Sequence, residues 1–501
     1  MGILFLGSMV LLVSACATID PRGDYARTRT IASIETGAAD IYDPTAEERV
    51  QERTHELLQG GLTVEEAISV ALLNNKGFQS LFQQIGMSRA EVVQSGLLSN
   101  PVFSFGVRFP EGGGRSELTA GLAQQIVDLW QLPIRKEIAQ TQLDRTVFLV
   151  ARQAHAIASS VRRSYYSLLA VQRATELTHE HSALARKSLD VAQARLDVGE
   201  AAPFEVNLAR GSLLDVQVEL AALQGDRDVA ELALARAMGL GRSAAQWTAV
   251  GALPQPRSLD LDLSSLVARA DAERLDVSSA ELAISVAEDE FVRQCRSVFP
   301  SIVVGVTGER TERASMPGRD VLADTARASV ASGQLTAPSI QSRAERDRAR
   351  SQFIDALLGA TVTMTLPLWD QNQAGIAKAR FAVVQKRKQF EDLLEEIRQD
   401  VGQASSRVRT SASLATLYEN EVLPNDEANA AGAKALYETG EQSILALIEA
   451  QRTLVLHRRR YVDALRNYAM ALVDLEFAIG GRLPVMGDEA GDASGATHEP
   501  G

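Results

Sequence analysis

The pentapeptide Leu196-Asp197-Val198-Gly199-Glu200 returns as Tyr437-Glu438-Thr439-Gly440-Glu441, and Leu129-Trp130 returns as Leu368-Trp369. Two copies at a period of about 240 residues are too few and too long for a solenoid and read as a duplicated half-fold. Each copy runs helix, short strand, short strand, then two very long helices. The glycine of each pentapeptide sits where a long helical arm must stop and reverse, the place where a left-handed residue ends a helix.

The arms follow from composition and period. Pro133 to Val198 holds no internal proline and is rich in Ala, Leu, Arg, Glu and Gln, which at ~1.5 Å per residue makes a helix of about 100 Å. Ala170, Leu177, Leu184, Val191 and Val198 recur every seven residues, the spacing of a coiled-coil seam. After Gly199 to Pro203 a return helix to Met238 carries Val206, Leu213, Leu220 and Leu234. In the second copy the arm runs from Gln373 to about Tyr437 with a kink expected at Pro424. Its return, Ser443 to Ile479, carries one apolar row at Leu447, Leu454, Tyr461, Tyr468 and Leu475 and another at Leu465, Leu472 and Ile479. Two seams on one helix call for neighbours on both sides, as in a closed ring of helices. Single helices over about 63–98 and 204–239 together match the arm 133–198 in length, so two stacked short helices can flank one long one.

Between the helices, Pro101 to Val107 and Leu118 to Ile126 alternate with period two around Gly112-Gly113-Gly114, which predicts a hairpin; Ser301 to Val306 with Thr361 to Leu366 predicts a second. The second hairpin carries an insertion over about 310–350, polar and rich in Ala, Ser and Arg, expected as a long solvent loop. Four strands cannot close a membrane barrel, which needs at least about eight in one chain. Lipid also forbids open edges. The strands must therefore be completed by other copies of the chain or belong to a soluble sheet.

The ends of the chain bear on compartment. Residues 3–13 form an apolar run of signal-peptide size that closes on Val13-Ser14-Ala15-Cys16, similar to the lipobox of bacterial lipoproteins, so residues 1–15 are expected to be removed and Cys16 acylated. The alternative is an ordinary signal peptide, and no Lys or Arg precedes the run. Residues 16–60 are expected as a lipidated linker, 61–250 and 251–482 as the two repeats, and 483–501 as a disordered tail. Cys295 is the only other cysteine and is expected to be a packing residue. A net charge of −13 over 501 residues argues against nucleic acid. The basic run His457-Arg458-Arg459-Arg460 lies within a helix and is expected to meet acidic neighbours. His179-Glu180-His181 resembles a metal cluster, but residues two apart on a helix are separated by about 200°, so the imidazoles cannot share an ion. Nucleotide loops, nucleophile elbows and zincin motifs are absent from the sequence, so neither an enzyme nor a cofactor is expected. A purely structural coiled-coil lipoprotein of the periplasm would leave the alternating strands without a purpose.

The run Thr365-Leu366-Pro367-Leu368-Trp369-Asp370-Gln371-Asn372-Gln373-Ala374-Gly375-Ile376-Ala377-Lys378-Ala379 resembles the strand-to-helix junction of the TolC-like outer-membrane efflux proteins. Tyr437 to Arg452 resembles a periplasmic tip of that family, and Arg274-Leu275-Asp276-Val277 the entry to its second repeat; the resemblance covers about residues 60–480. Gly440-Glu441-Gln442-Ser443-Ile444-Leu445 and Ala450-Gln451-Arg452 are most similar to the heavy-metal efflux branch. The resemblance implies a mostly helical chain with a small β part, three copies giving four strands each to a 12-stranded barrel in the outer membrane, continued by a helical barrel in the periplasm. It implies a passive duct for small solutes, metal cations or drugs, driven by an inner-membrane pump through a periplasmic adaptor; the same fold also serves type I protein secretion. Gly199, Glu200, Gly440 and Glu441 fall at the tips that meet the adaptor. The family's closed gate joins a tyrosine, a basic residue and an acid, for which Tyr437 and Glu205 stand here while Gln442 replaces the basic group. Of the two acids at the constriction Glu449 matches one, which threefold repetition would make cation-favouring, and Ala446 lacks the other.

Overall fold

The computed structural model describes residues 18–109, 116–241, 247–257, 259, 262–299, 301–312, 321–335 and 354–483. Cys16, the Gly112-Gly113-Gly114 turn and the tail from residue 484 lie outside the described residues. In chain order the elements are α1 (Arg22–Thr36), α2 (Glu48–Leu57), β1 (Gly61–Leu62), α3 (Val64–Asn74), α4 (Lys76–Ser95), β2 (Val102–Arg108), β3 (Glu117–Gln125), α5 (Asp128–Asp197), α6 (Pro203–Ala237), β4 (Thr248–Ala249), α7 (Leu263–Glu273), α8 (Leu275–Arg296), β5 (Ile302–Glu312), α9 (Val321–Ser332), β6 (Ile354–Met364), α10 (Gln373–Leu417), α11 (Leu423–Glu438) and α12 (Ile444–Ile479). They divide into a helical unit, drawn from Met1–Glu91, Gln140–Val286 and Val384–Gly501, and a sheet-bearing unit, drawn from Val92–Ala139 and Ala287–Val383. No described helix is long and apolar enough to cross a membrane.

In the helical unit the segment expected as a linker holds α1 and α2. Hydrophobic periodicity misses α1 because its buried face is Asp24, Thr28, Ala32 and Thr36, with Tyr25 beside them. The Thr28 and Thr36 hydroxyls donate to the carbonyls of Asp24 and Ala32 at 2.8 and 2.7 Å. Arg89 grips the Asp24 carboxylate with two bonds of 2.7 and 2.6 Å. Every buried polar group on that face is thereby paired, and it packs as an apolar face would.

The single helix expected over about 63–98 is two helices, α3 and α4. Asn75 turns out of helical geometry with ψ 108°, and its side-chain oxygen accepts from Phe78 N at 3.0 Å, which starts α4. Arg274 makes the same break between α7 and α8 with ψ 123°. The second long arm is interrupted by a π-helical turn, Tyr418–Val422, just ahead of Pro424. Proline lacks the N–H that an α-turn would use, so the expected kink is absorbed by a wider turn.

The seams differ between the hairpins. Most of both rows of α12 is inside: Leu447, Leu454, Tyr468 and Leu475 on one, Leu465 and Ile479 on the other, each at most 9% exposed, while Tyr461 and Leu472 are half-buried. On α5, Ala170 and Leu177 are buried, but Leu184, Val191 and Val198 are 41%, 43% and 71% exposed. Ala185 and Ala192, one position on, are buried in their place. A straight helix drifts by about 20° per heptad against a strict seven-residue row, so the row rotates out of the intrachain contact toward the tip.

In the sheet-bearing unit the strands pair antiparallel in the order β2-β3-β5-β6, so a β3–β5 ladder joins the two hairpins into one sheet. Strands β5 and β6 are longer than the sequence suggests because the ladder continues from Ile302↔Met364 to Glu312↔Ile354, into the segment expected as a loop. That segment also holds α9. Eleven residues per strand matches a tilted membrane crossing of about 9–11 residues. One face carries Phe103, Phe105, Leu122, Val306, Leu358, Val362 and Met364, all at least 50% exposed. The other carries Ser104, Thr119, Thr307, Thr361 and Thr363 interleaved with Gly106, Gly121, Gly305 and Gly359, with Val102, Val303 and Leu357 toward its ends. A Cβ on Gly106, Gly121 or Gly305 would meet a Thr or Ser hydroxyl at 2.7, 2.8 or 2.9 Å. On the apolar face the nearest atom to such a Cβ at Gly308 is at 3.9 Å. Crowding confined to one face marks it as the concave side, so the sheet curls with its polar face inward.

Since Glu312 faces Ile354 across the ladder, excising residues 313–353 and closing the gap with Asn-Gly is expected to leave the four-stranded sheet intact. A two-residue turn fits strands already in register. Loss of the β signal in circular dichroism, with misassembly in the membrane, would show that the insertion is needed to hold the sheet.

Candidate functional site at the hairpin tips

The two pentapeptides fold into the same turn. Gly199 and Gly440 each adopt φ +80°. Glu200 N donates to Arg195 O at 2.8 Å, as Glu441 N does to Leu436 O at 2.9 Å. A backbone bond from the residue after a left-handed glycine to the carbonyl five residues back is the Schellman stop, which pairs carbonyls that the last turns of α5 and α11 would otherwise leave open. Gly199, Glu200, Gly440 and Glu441 are all exposed.

Behind the turns one apolar cluster binds the hairpins together: Ala192 of α5, Val206 and Ala209 of α6, Tyr437 of α11, and Ile444 and Leu447 of α12. Tyr437 is its centre at 2% exposure. The Arg195 guanidinium lies over the Tyr437 ring, 5.0 Å from its centroid. Arg195 Nη1 also donates to the Tyr437 carbonyl at 3.1 Å, and its Nε stands 3.9 Å from Glu200. Burial pushes the Tyr437 phenol above its ordinary value; Arg195 opposes the shift and Glu205 adds to it. The phenol oxygen is buried; the Arg195 side chain acts on it as a donor, without a well-aligned hydrogen bond among the described residues.

The tip residues named from sequence are thus partly brought together. Tyr437 sits in the cluster and Glu205 lies near enough to act on its phenol. Glu205 also accepts from Ala202 N at 3.5 Å, closing the first turn of α6. Gln442 and Glu449 are exposed, and Ala446 is half-buried. Arg195 was not anticipated. Two signals point to it: it directly precedes the first pentapeptide, and the absence of a basic group at 442 asks for one from elsewhere.

Farther from the tip the basic run of α12 meets carboxylates on three helices. His457 bonds Asp426 of α11. Arg458 pairs with Glu427 of α11 at 2.8 Å and Glu180 of α5 at 3.7 Å, and Arg459 pairs with Glu219 of α6. His179 is exposed and His181 is 8% exposed, so the two imidazoles face apart as their spacing requires.

A sequence model described as outer membrane efflux protein matches residues 67–240 and 266–481. The cobalt-zinc-cadmium resistance protein CzcC of Cupriavidus metallidurans is 21% identical over 425 residues, covering 84% of this chain and 90% of that protein. A crystal structure of CusC, from work on folding and transmembrane channel formation, superposes with a TM-score of 0.64 at 19% identity, over 83% of this chain and 92% of that one. The open state of the Neisseria gonorrhoeae MtrE outer membrane channel superposes with a TM-score of 0.59 at 17% identity, over 84% and 89%.

Proposed function

Because the chain belongs to the outer membrane efflux protein family, we propose that its four-stranded sheet is one third of a 12-stranded outer-membrane barrel. Three copies close the barrel, and their long helices form the periplasmic part of the duct. The observation that carries this is the sheet itself. It has an apolar, exposed face, a crowded polar face, and edges at β2 and β6 that no described residue pairs. Lipid tolerates no open edge, and the number of strands rules out closure within one chain. A structural periplasmic lipoprotein would have no use for such a face.

The duct is passive. A periplasmic adaptor seats on the tips at Gly199–Glu200 and Gly440–Glu441, and an inner-membrane pump supplies the energy. The cargo is a small solute, with divalent metal cations favoured over drugs or secreted protein by the likeness to a cobalt-zinc-cadmium resistance protein. Exposed Glu449, repeated threefold, would attract such cations. Cys16 carries the lipid anchor.

One fractionation experiment tests the duct and its anchor together. The full-length protein is expected in the outer membrane as a trimer that SDS dissociates, labelled by palmitate in the wild type and unlabelled in Cys16→Ala. Recovery of the wild type as a soluble periplasmic monomer would overturn the duct, and label persisting in Cys16→Ala would overturn the anchor.

A further inference from the structure

In the helical unit α1 is seated by guanidiniums and by one pair of a different kind. Arg27 pairs with Asp144 of α5. The Thr36 carbonyl, at the end of α1, accepts from Arg162 Nη2 and from Arg482 Nη2, each at 3.1 Å. Between these ties Glu35 faces His155 of α5, with Oε2 3.8 Å from Nδ1. Both are inside, the Glu35 side chain 12% exposed and that of His155 1%. Neither Glu35 Oε2 nor His155 Nε2 makes a hydrogen bond among the described residues.

The gap is that of uncharged groups. A carboxylate and an imidazolium buried together draw in to a charge-assisted bond of ~2.7–2.9 Å, whereas 3.8 Å is beyond any hydrogen bond. The neighbouring carboxylates each hold a guanidinium: Asp276 of α8 with Arg274 at 2.6 Å, Glu476 of α12 with Arg162 at 2.9 Å, and Glu273 of α7 with Arg269 at 2.8 Å. Among the described residues Glu35 pairs with none. Arg152 lies over the Phe477 ring, 3.9 Å from its centroid, and the His155 ring stands against the same Phe477 at 5.3 Å, so an imidazolium would crowd a guanidinium; Asp276 and, more weakly, Asp400 of α10 act on that guanidinium in turn. Burial first and Glu273 next raise the Glu35 carboxyl to about 7, with Arg152 and Arg269 opposing. Burial, then Arg152, Arg162 and Arg274, lower the His155 imidazole to about 3, with Asp276 opposing.

We propose that Glu35 and His155 meet as a protonated carboxyl and a neutral imidazole, so that seating α1 moves one proton from histidine to glutamate and is thereby made indifferent to mild acid. The proton count sets the sign. With α1 unseated, the ordinary values of 4.5 and 6.5 leave an ionised carboxylate and a charged imidazole between those limits, one proton in all. The seated pair also holds one proton, on the carboxyl. Equal counts give no slope with pH. Without Glu35 the seated state binds one proton fewer than the unseated one below about 6.5, and acid unseats α1. Without His155 it binds one more between 4.5 and about 7, and acid tightens α1. The device stands on the helical unit alone and does not depend on what the duct carries.

Hydrogen–deuterium exchange of the α1 amides in the full-length protein, in mild detergent and corrected for the intrinsic exchange rate, reads the seating equilibrium. From about pH 7.5 to about 5.5 the wild type is expected to hold within about threefold, Glu35→Gln to loosen about tenfold, and His155→Asn to tighten about twentyfold. A change of about fivefold or more in the wild type, in either direction, overturns the proposal. A buried ion pair would give such a tightening, so the wild type alone separates the two charge states. Variants that keep the wild-type slope, or that both move in one direction, overturn it as well. Exchange in α3, buried from Ala67 to Leu73, reports whether each variant is folded. Glu35→Ala and His155→Gln, with the same signs expected, replace a variant that fails this control.

Discussion

Gly305→Val is expected to abolish the assembled channel, whereas Gly359→Val on the same concave face leaves it in place. Both glycines alternate with threonines on the polar side of the sheet, yet their surroundings differ. A Cβ at Gly305 would stand 2.9 Å from Thr361 Oγ1, 3.0 Å from the Leu122 carbonyl oxygen and 3.3 Å from Ala123 Cβ. Thr361 can rotate away. Leu122 O cannot, because it belongs to the β3–β5 ladder, and a valine adds two further methyls to the same crowded space. At Gly359 the nearest atom is Thr307 Oγ1 at 3.9 Å, an ordinary contact. Overpacking of a rigid site costs about 1–3 kcal/mol, and in the proposed trimer it would be incurred three times before the barrel could close. The readout is the yield of SDS-sensitive trimer in the outer membrane. Equal yields from the two variants would mean that the concave face is not under closure strain.

Much of this architecture is legible in the chain, and the parts that are not share a cause. Gly199 and Gly440 announce their turns because a left-handed helix stop has few other solutions, and the Thr/Val alternation of β5 and β6 announces a two-faced strand. The extent of those strands is hidden because Gly305 and Gly308 interrupt the alternation, Gly305 at a crowded position of the concave face that takes only a small residue. Helix α1 is hidden for a different reason: Thr28 and Thr36 bury hydroxyls that are satisfied inside the helix, so a polar sequence forms a core face. Asn75 breaks a helix that periodicity would run straight through, since a single side-chain cap leaves no trace in the apolar pattern. At the tips, sequence placed Tyr437 and Glu205 but could not show Arg195 meeting Tyr437, because that contact joins residues on different hairpins, 242 positions apart. The duplication marks each tip by itself. Only the folded chain shows that one tip supplies the cation for the aromatic ring of the other.

That arrangement yields the second expected result: in planar bilayers Arg195→Ala conducts more than the wild type, while Tyr437→Phe and Gln442→Ala do not. The Tyr437 hydroxyl makes no well-aligned hydrogen bond among the described residues, and Tyr437→Phe keeps both the ring under Arg195 and the carbonyl that Arg195 bonds, so removal of the hydroxyl costs the closed tip far less than the loss of Arg195. Gln442 is exposed beyond the cluster and contributes no charge. Arg195 contributes twice. Its stacking on the Tyr437 ring is worth roughly 0.5–2 kcal/mol, and its bond to the Tyr437 carbonyl roughly 1.5–3 kcal/mol, as for other charged donors. Loss of both weakens the join between the hairpins of one copy by about 2–5 kcal/mol, and a threefold gate repeats that loss. Moving a two-state equilibrium from 1:99 to 99:1 takes about 5.5 kcal/mol, so a closed gate held chiefly by this contact should become a largely open one. Arg195→Lys separates the two contributions. It keeps a charge near the ring and forfeits much of the carbonyl bond, and its conductance should fall between the wild type and Arg195→Ala. If Arg195→Ala conducts like the wild type, the tips are held by the apolar cluster of Val206, Ile444 and Leu447, and Leu447→Ala becomes the variant that opens them.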